Sequence, residues 1–574
     1  MKSLARFIAA VLATAVRSEP TAVTTFECIG LYYPSAETGV CNVHYRAAGT
    51  SAWRPALDLV YDPRNQEYRG SIIGLQPDTA HEVRLTHRGR SALIGTRTGS
   101  DRFPVGKTTR VASQTVPFAI MESGTPAAYH LITPHPQTRT TIDVANQADH
   151  TFVIDADYVI VRGLELKNAA QHGVLIKPGR HHVVVEDCRI TGWGRGGGSL
   201  TFGNTGNMDS GIYAGPGAGH LVLQRNLIEN PRGAANDWDS GHPAGPQGIS
   251  LINSTGHNVI RYNEIVSTDD RGFNDGIGGG ANNSTAGSPN RDSDIHGNII
   301  AGVWDDGIES EGANMNVRIW GNYIDRAFVH VATASTSKGP LYIHRNVFGV
   351  SRRTRKDPMG VAMIKTGMSG EFGRGHKFVF HNTALQPRGA FSVFSGHPDV
   401  PDPNTVTRNN IFDCPGRLTP SLPDTSSDYD YDFYSGSDRG RATESIVRSG
   451  RIGWPTGVQS PDGSRTIEPH GVSGAMAYLP SYSLEFYPAA VTTRVEPGRT
   501  SVDRGGKAVA VHGAVVTVPN PVIDGGTRLP NFNDDFSGGA PDIGAFEVGR
   551  PPLRFGRRAV DNTWAPWELY AHES

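Results

Sequence analysis

Between residues 150 and 415 apolar and polar positions alternate in short bursts, and one burst recurs. It has the form apolar-x-apolar-x-x-Asn-x-apolar: HLVLQRNLIE ending at Glu229, HNVIRYNEIV at Val266, DIHGNIIAG at Gly302, NVRIWGNYID at Asp325, PLYIHRNVFG at Gly349, KFVFHNTAL at Leu385 and TVTRNNIFD at Asp413. The lines align Asn226, Asn263, Asn298, Asn322, Asn346, Asn382 and Asn410, with Asp187 fitting one step earlier. A second line accompanies them: HGVLIKPG, SGIYAGPG, QGISLIN, DGIGGGA, DGIESEG and VAMIKTG. Both are short, alternating and bounded by turn residues, so both predict β-strands. Two short strands cannot bury a face alone; stacked as successive coils they can. An Asn at one turn of each coil then satisfies its amide against backbone or the next Asn.

The repeat resembles that of the right-handed parallel β-helix proteins of the pectate lyase superfamily, as does the ending PNFNDDFSGGAPDIGAFEVG. The resemblance covers roughly residues 113–549. It implies an all-β, right-handed parallel β-helix solenoid; the fold hosts lyases, hydrolases, esterases, epimerases and adhesins, so it does not choose a reaction.

Residues 21–100 have a different pattern, with alternating strands in CNVHYRAAGTSAW and EYRGSIIGLQPDTAHEVRLTHRG. They resemble a fibronectin type III-like β-sandwich, with His81 where that family usually has Tyr. The expected organisation is a signal peptide at 1–18, the sandwich at 21–100, the β-helix at 101–549 and a tail at 550–574. Residues 416–500 are expected to form distorted late coils. Val516 to Gly549 should cap the solenoid's open end, and the tail should lie back along its outside.

Composition adjusts this picture little. Sixty-nine glycines in 574 residues suit a turn-rich β protein, and a net charge of −2 gives no reason to expect nucleic acid. No apolar run is long enough to span a bilayer. MKSLARFIAAVLATAV has a basic start, an apolar run and Ala13-Thr14-Ala15, which predicts a secreted or periplasmic protein. In that compartment Cys28 and Cys41 could pair; Cys188 fits a buried thiol. A monomer is expected.

The chemistry concentrates at WDDGIESEG. Strict alternation with Ile308 and Ser310 inward puts Glu309 and Glu311 outward. In the coil before, Ile277 inward leaves Gly278 and Gly280 outward as a bare floor; two coils before, Ser250 faces out. In the next coils Val329 and Val331 inward put His330 outward, and Ala362 and Ile364 inward put Met363 and Lys365 outward. Asp275, Asp305 and Asp306 lie at the turn leading into this face. Like charges this close persist when they bind a cation or divide acid and base roles. The competing structural reading is Asp capping turns, strongest for Asp275 and Asp306, each followed by Gly.

The motif order is similar to that of polygalacturonase-type glycoside hydrolases: FNDGIG, WDDGIE, FVHVA and AMIKTG stand on successive coils. The resemblance implies acid and base roles among Asp275, Asp305 and Asp306, with His330 and Lys365 binding substrate. The sequence departs from that pattern at Met363, where Arg would stand, in the unflanked His330, and in the additional Glu309 and Glu311. Three functions follow. Glycoside hydrolysis of a polysaccharide leads, with Asp305, Asp306 and Glu309 as first acid–base candidates and no cofactor required. The alternative is a Ca²⁺-dependent polysaccharide lyase acting on a uronate glycan, with Asp305, Asp306, Glu309 and Glu311 as metal ligands and Lys365 or His330 as base. The third is a non-catalytic glycan-binding solenoid. Glu311, Ser250, Tyr213, Arg352 and Arg353 are the substrate-binding candidates; Trp193, Trp238 and Trp304 are further aromatics able to stack on sugar. The loops at 192–208 and 230–246, the latter with Asp239 and His242, are expected to wall the cleft.

Overall fold

A computed structural model of the chain describes residues 19–195, 208–349, 351–352, 362–366, 370–385, 392–395, 403–413, 426–434, 458–459, 466–473, 508–511, 514–517, 522–547, 550–551, 553–557 and 559. The expected signal segment and Arg353 fall outside these residues, as does most of 416–500.

Eight strands open the described chain: β1 (Thr21–Thr24), β2 (Ile29–Pro34), β3 (Cys41–Ala47), β4 (Arg54–Ala56), β5 (Val60–Asp62), β6 (Glu67–Ile72), β7 (Ala80–His87) and β8 (Arg90–Arg97). They form two antiparallel sheets, ordered β1-β2-β6-β5 and β4-β3-β7-β8. Ile29, Leu31, Val43, Tyr68, Val83 and Leu85 pack between them. The expected Cys28–Cys41 pairing does not occur. Both thiols are free and buried. Cys41 sits in the core between the two sheets, whereas Cys28 packs with Tyr342, Phe378 and Phe532 on the solenoid side.

From Val105 onward the chain coils into three parallel sheets of ten, twelve and twelve strands. The ten-stranded one is the site sheet. Its inward residues stack in one column: Phe152, Val174, Ile212, Ile249, Ile277, Ile308, Val331, Ile364 and Phe394, all in the main core. The third sheet supplies Ile190, Ile228, Ile265, Ile300, Ile324 and Phe348 to the same core.

The Asn column forms as expected. Each Asn from 226 to 382 donates its backbone N–H and its Nδ2 to the Oδ1 of the next, at 2.9–3.1 Å. The second Nδ2 hydrogen reaches a carbonyl of an earlier coil, such as Ile260 O at 3.0 Å from Asn298. The column ends on Asp432, whose Oδ1 accepts both bonds from Asn410. It begins at Cys188, whose N–H donates to Asn226 Oδ1. Asp187 is thus one residue off the column; it occupies a positive-φ turn and pairs with Arg225.

Strict alternation fails at one position of the site sheet. Gly173, Gly211, Gly248, Gly276 and Gly307 all aim inward together with the residue that follows. A Cβ at any of them would lie 2.4–2.7 Å from the Cγ2 of Ile190, Ile228, Ile265, Ile300 or Ile324, respectively. The chain therefore bends at this glycine in five successive coils.

The sandwich docks on the outer face of one twelve-stranded sheet, hereafter the docking sheet. Tyr32 donates to Asp292 Oδ2 at 2.7 Å, Arg69 to the carbonyls of Lys338 and Gly339, and Tyr342 Oη accepts from Ser71 N. Buried Arg318 pairs with Asp294 at 2.6 Å. Of the expected cap, residues 522–547 run along the solenoid's flank, where His381 Nδ1 meets Gly544 O and Asn531 bonds Ile73 of the sandwich. Of the expected tail, Arg557 pairs with Glu264 at 2.9 Å, and residues 560–574 lie outside the described residues. Among the described residues no helix is long and apolar enough to cross a membrane.

Candidate active site

The bend sorts the outward residues of the site sheet into two columns. One, just before the inward glycine, runs Ser210, Gln247, Asp275, Asp306 and Val329. The other, just after the inward aliphatic residue, runs Leu175, Tyr213, Ser250, Gly278, then Glu309, Ala332 and Lys365. Acidic residues from both columns meet at the centre. Oxygens of Asp275, Asp305 and Asp306 lie within 4.8 Å of one another, and so do those of Asp306, Glu309 and Glu311. Lys365 Nζ reaches in from two coils further on, 2.8 Å from Asp306 Oδ2 and 3.2 Å from Glu311 Oε1.

The cluster is built rather than merely crowded. Asp275 accepts from Gln247 Nε2 and Asn274 Nδ2 at 3.0 Å and from Asp306 N at 3.1 Å. Glu309 lies over the glycine floor; its Oε2 accepts from the N–H groups of Gly279 and Gly280 at 3.2 and 3.4 Å, and its Oε1 from Asn282 Nδ2 at 3.2 Å. Glu311 Oε1 also accepts from Ala334 N. Among the described residues two buried oxygens, Asp306 Oδ1 and Glu311 Oε2, have no hydrogen-bond partner.

Burial, reinforced by the neighbouring carboxylates, holds Asp275, Asp305 and Glu311 well above the ordinary carboxylate range and raises Asp306 as well. Burial by itself would lower Lys365. Asp306 and Glu311 outweigh it and push the ammonium well above its usual value. Two unit charges 4 Å apart interact by about 4 kcal/mol at an effective dielectric near 20. Five carboxylates sharing one lysine are therefore stable only with added protons or added cations. The donor set is all oxygen, suited to a hard divalent ion such as Ca²⁺, and the two unpartnered oxygens are what such an ion would take up.

The expected positions of Asp275, Asp305, Asp306, Glu309, Glu311 and Lys365 come together; that of His330 does not. His330 occupies the inward bend position in the coil after Gly307. It is fully buried against Phe348, 5.3 Å between ring centroids, and burial pushes it down to about 3. Met363 follows it into the core, while Val329, expected inward, faces out toward Phe328 and Ala332. Neither His330 nor Met363 touches the cluster.

Ser250 faces outward two coils before Glu309 and bonds Gln247 and Ser210 at 2.7 Å. Tyr213 stacks on His172 at 4.3 Å. Arg352 is buried with its guanidinium 3.7 Å from the centre of the Trp304 ring, so it braces that ring rather than reaching outward. Trp193 is a core residue. The 230–246 loop does wall the site. Trp238 stacks on Phe328 at 5.3 Å, and His242 Nε2 sits 3.8 Å from Asp305 Oδ2. Of the second wall, residues 196–207 lie outside the described residues.

No family model matches the chain, and no curated protein does. Three solved structures overlap it broadly at low likeness. Pectate lyase Pel9A is 14% identical with a TM-score of 0.37, covering 79% of this chain and 91% of its own. An alginate lyase from Paenibacillus sp. str. FPU-7 is 14% identical with a TM-score of 0.33, covering 53% and 87%. A family 28 exopolygalacturonase from Yersinia enterocolitica is 10% identical with a TM-score of 0.31, covering 73% and 91%. Values this low assign no activity to this chain.

Gln247 and Asn282, the polar groups that position Asp275 and Glu309, escaped the sequence reading. Gln247 was within reach of it: QGI aligns with DGI at 275 and at 306, which puts Gln247 in the column of Asp275 and Asp306. Asn282 lies in a loop with no repeat to align it.

Proposed function

We propose that the protein cleaves a uronate-containing polysaccharide by β-elimination at this cluster. The observation that carries the reading is a lysine amino group 2.8 Å from Asp306 in a buried, all-oxygen site with two unpartnered carboxylate oxygens. Asp306, Glu309 and Glu311, whose oxygens lie within 4.8 Å of one another, would hold a Ca²⁺-type ion, with Asp275 and Asp305 beside Asp306. Bound there, the ion would neutralise the uronate carboxylate and acidify the adjacent C5 proton. Lys365 supplies the base. It is held protonated by Asp306 and Glu311, and it becomes a proton acceptor once those carboxylates are engaged elsewhere. Lys365 Nζ takes the C5 proton, the electron pair forms C4=C5, and the C4–O4 bond breaks. The departing oxygen gains a proton from solvent. His242, at the open edge beside Asp305, and the Trp238 loop border the space in which the chain would lie.

Hydrolysis draws support from the raised pKa of Asp275, a property of a general acid, and from carboxylates close enough for a retaining pair. One experiment separates the two. Acidic and neutral polysaccharides are incubated with the protein, with and without EDTA, while reducing ends and near-ultraviolet absorbance are followed together. Elimination gives both signals, and both vanish with EDTA and in Lys365→Ala. Reducing ends without absorbance would replace elimination by hydrolysis. Binding without either signal would leave a glycan-binding solenoid.

A further inference from the structure

A cavity of about 550 Å³ lies away from the carboxylate cluster, where the linker after the sandwich crosses the docking sheet. Its floor is the outward column of that sheet: Arg162, Glu186, Gln224 and Arg261 stand on successive coils. Its roof is Glu27, Asp101, Arg102 and Phe103. The volume falls within the roughly 300–1,000 Å³ usual for ligand sites, and junctions between structural units are a preferred place for them.

The lining is polar, with donors in excess. Glu186 is buried and committed, accepting from Arg162 at 2.6 Å and Arg225 at 2.8 Å. Arg261 donates to Gln224 Oε1 at 2.7 Å but meets Glu27 and Asp101 only at 3.5 and 3.3 Å. Arg102 is exposed and its guanidinium bonds nothing among the described residues. Arg162 lines the cavity and bonds Glu186 through Nε, its terminal amino groups having no hydrogen-bond partner among the described residues. Phe103 and Tyr262 add ring surface. Burial raises the Glu27 carboxyl to about 7, so the lining becomes more positive as pH falls below neutral.

Guanidinium forks suit carboxylates, and aromatic faces suit the C–H surface of a sugar ring. We propose that this cavity is a second saccharide site, one that binds a short acidic oligosaccharide through Arg102 and Arg162 with its ring against Tyr262 and Phe103. The choice of a uronate as the ligand rests on the elimination reading. The site itself is on a different sheet from the cluster and takes no part in the chemistry.

Titration calorimetry in EDTA tests this, with galacturonate and glucuronate trisaccharides as probes, maltotriose as the neutral control and sodium sulfate as the simple anion. Wild type is expected to bind at least one uronate trisaccharide and not maltotriose. Arg102→Glu should weaken that binding by at least about tenfold, the loss of one charge-assisted contact. Arg162→Gln should weaken it too, and both variants should keep wild-type cleavage of polymer. Binding of neither trisaccharide, binding indifferent to both substitutions, or sulfate binding as tightly as the sugar would each overturn the proposal. Failure of the elimination reading would appear separately, as absence of the absorbing product.

Discussion

Gly278 is the sharpest test of how the cluster is held. A Cβ at this position would lie 2.9 Å from Glu309 Oε2, 3.3 Å from Asp275 Cβ and 3.4 Å from Gln247 Oε1. Its φ is outside the left-handed region, so the backbone accepts alanine without strain. In Gly278→Ala the Glu309 carboxylate must retreat about 0.5 Å to reach ordinary contact, and its bonds to Gly279 N–H and Gly280 N–H, already 3.2 and 3.4 Å, pass the length at which a hydrogen bond persists. One charge-assisted bond at the low end of its range is worth about 1.5 kcal/mol, or about tenfold in affinity. The substitution should therefore weaken Ca²⁺ binding about tenfold by calorimetry and raise the Ca²⁺ concentration needed for half-maximal cleavage by the same factor. Far-ultraviolet circular dichroism should not change. Gly95→Ala, where a Cβ meets nothing within 4 Å, is the control. Unchanged Ca²⁺ affinity in Gly278→Ala would refute the assignment of Glu309 as a ligand oriented by its glycine floor.

Three further outcomes are expected. Asn298→Ala strips partners from Asn263 N–H, Asn263 Nδ2 and Ile260 O; at about 1–3 kcal/mol per orphaned group it should cost about 4 kcal/mol in urea unfolding. Glu27 has a folded pKa near 7 against 4.5, so the stability tied to its protonated form is fully present below pH 4.5 and lost as pH rises through 7. Glu27→Gln should abolish that dependence and leave the variant more stable than wild type at pH 8, by up to about 3 kcal/mol, read from unfolding midpoints at pH 5 and 8. His330→Gln, which puts an amide against Phe348, should lower the thermal midpoint; in protein that remains folded, KM for polymer should stay within about twofold, since only loss of fold, not loss of a ligand, is at stake.

The legible parts of the sequence were those where one residue type recurs at one structural position. Asn226 to Asn410 announced the coil because an amide is the side chain that can both donate and accept at each rung. Glu309, Glu311 and Lys365 were placed correctly because they follow the bend, where alternation is strict. His330 and Met363 were misplaced because alternation was carried through the bend. The information was present: HGV, SGI, QGI, DGI and DGI align with VHV at 329 and AMI at 362, which puts His330 and Met363 in the glycine column. Once Phe348 replaces an isoleucine opposite, an imidazole fits where five coils admit only hydrogen. The Cys28–Cys41 pairing failed for a different reason. Nearness in sequence does not reveal that one thiol faces the sandwich core and the other the solenoid.

The same bend explains why the acids collect where they do. It turns the residue before each glycine and the residue after each inward aliphatic to the same outer face, so DGIE at Asp306–Glu309 presents two carboxylates from a single strand instead of one. Asp275, one coil earlier, enters through the first column, and Lys365, two coils later, through the second. Gly278 in the first of these coils and Ala332 in the coil between Glu309 and Lys365 leave the second column bare on either side of Glu309. An array whose only purpose was solubility would spread such charges over the solvated exterior, where each is screened. This fold instead concentrates them, buries four of the five, orients two of them with backbone and amide donors, and leaves Asp306 Oδ1 and Glu311 Oε2 without partners among the described residues. The unpaired cost is several kcal/mol by any dielectric appropriate to a buried site. Its persistence among five carboxylates that share a single lysine is the physical reason to look for a cation, and a substrate, at this point of the solenoid.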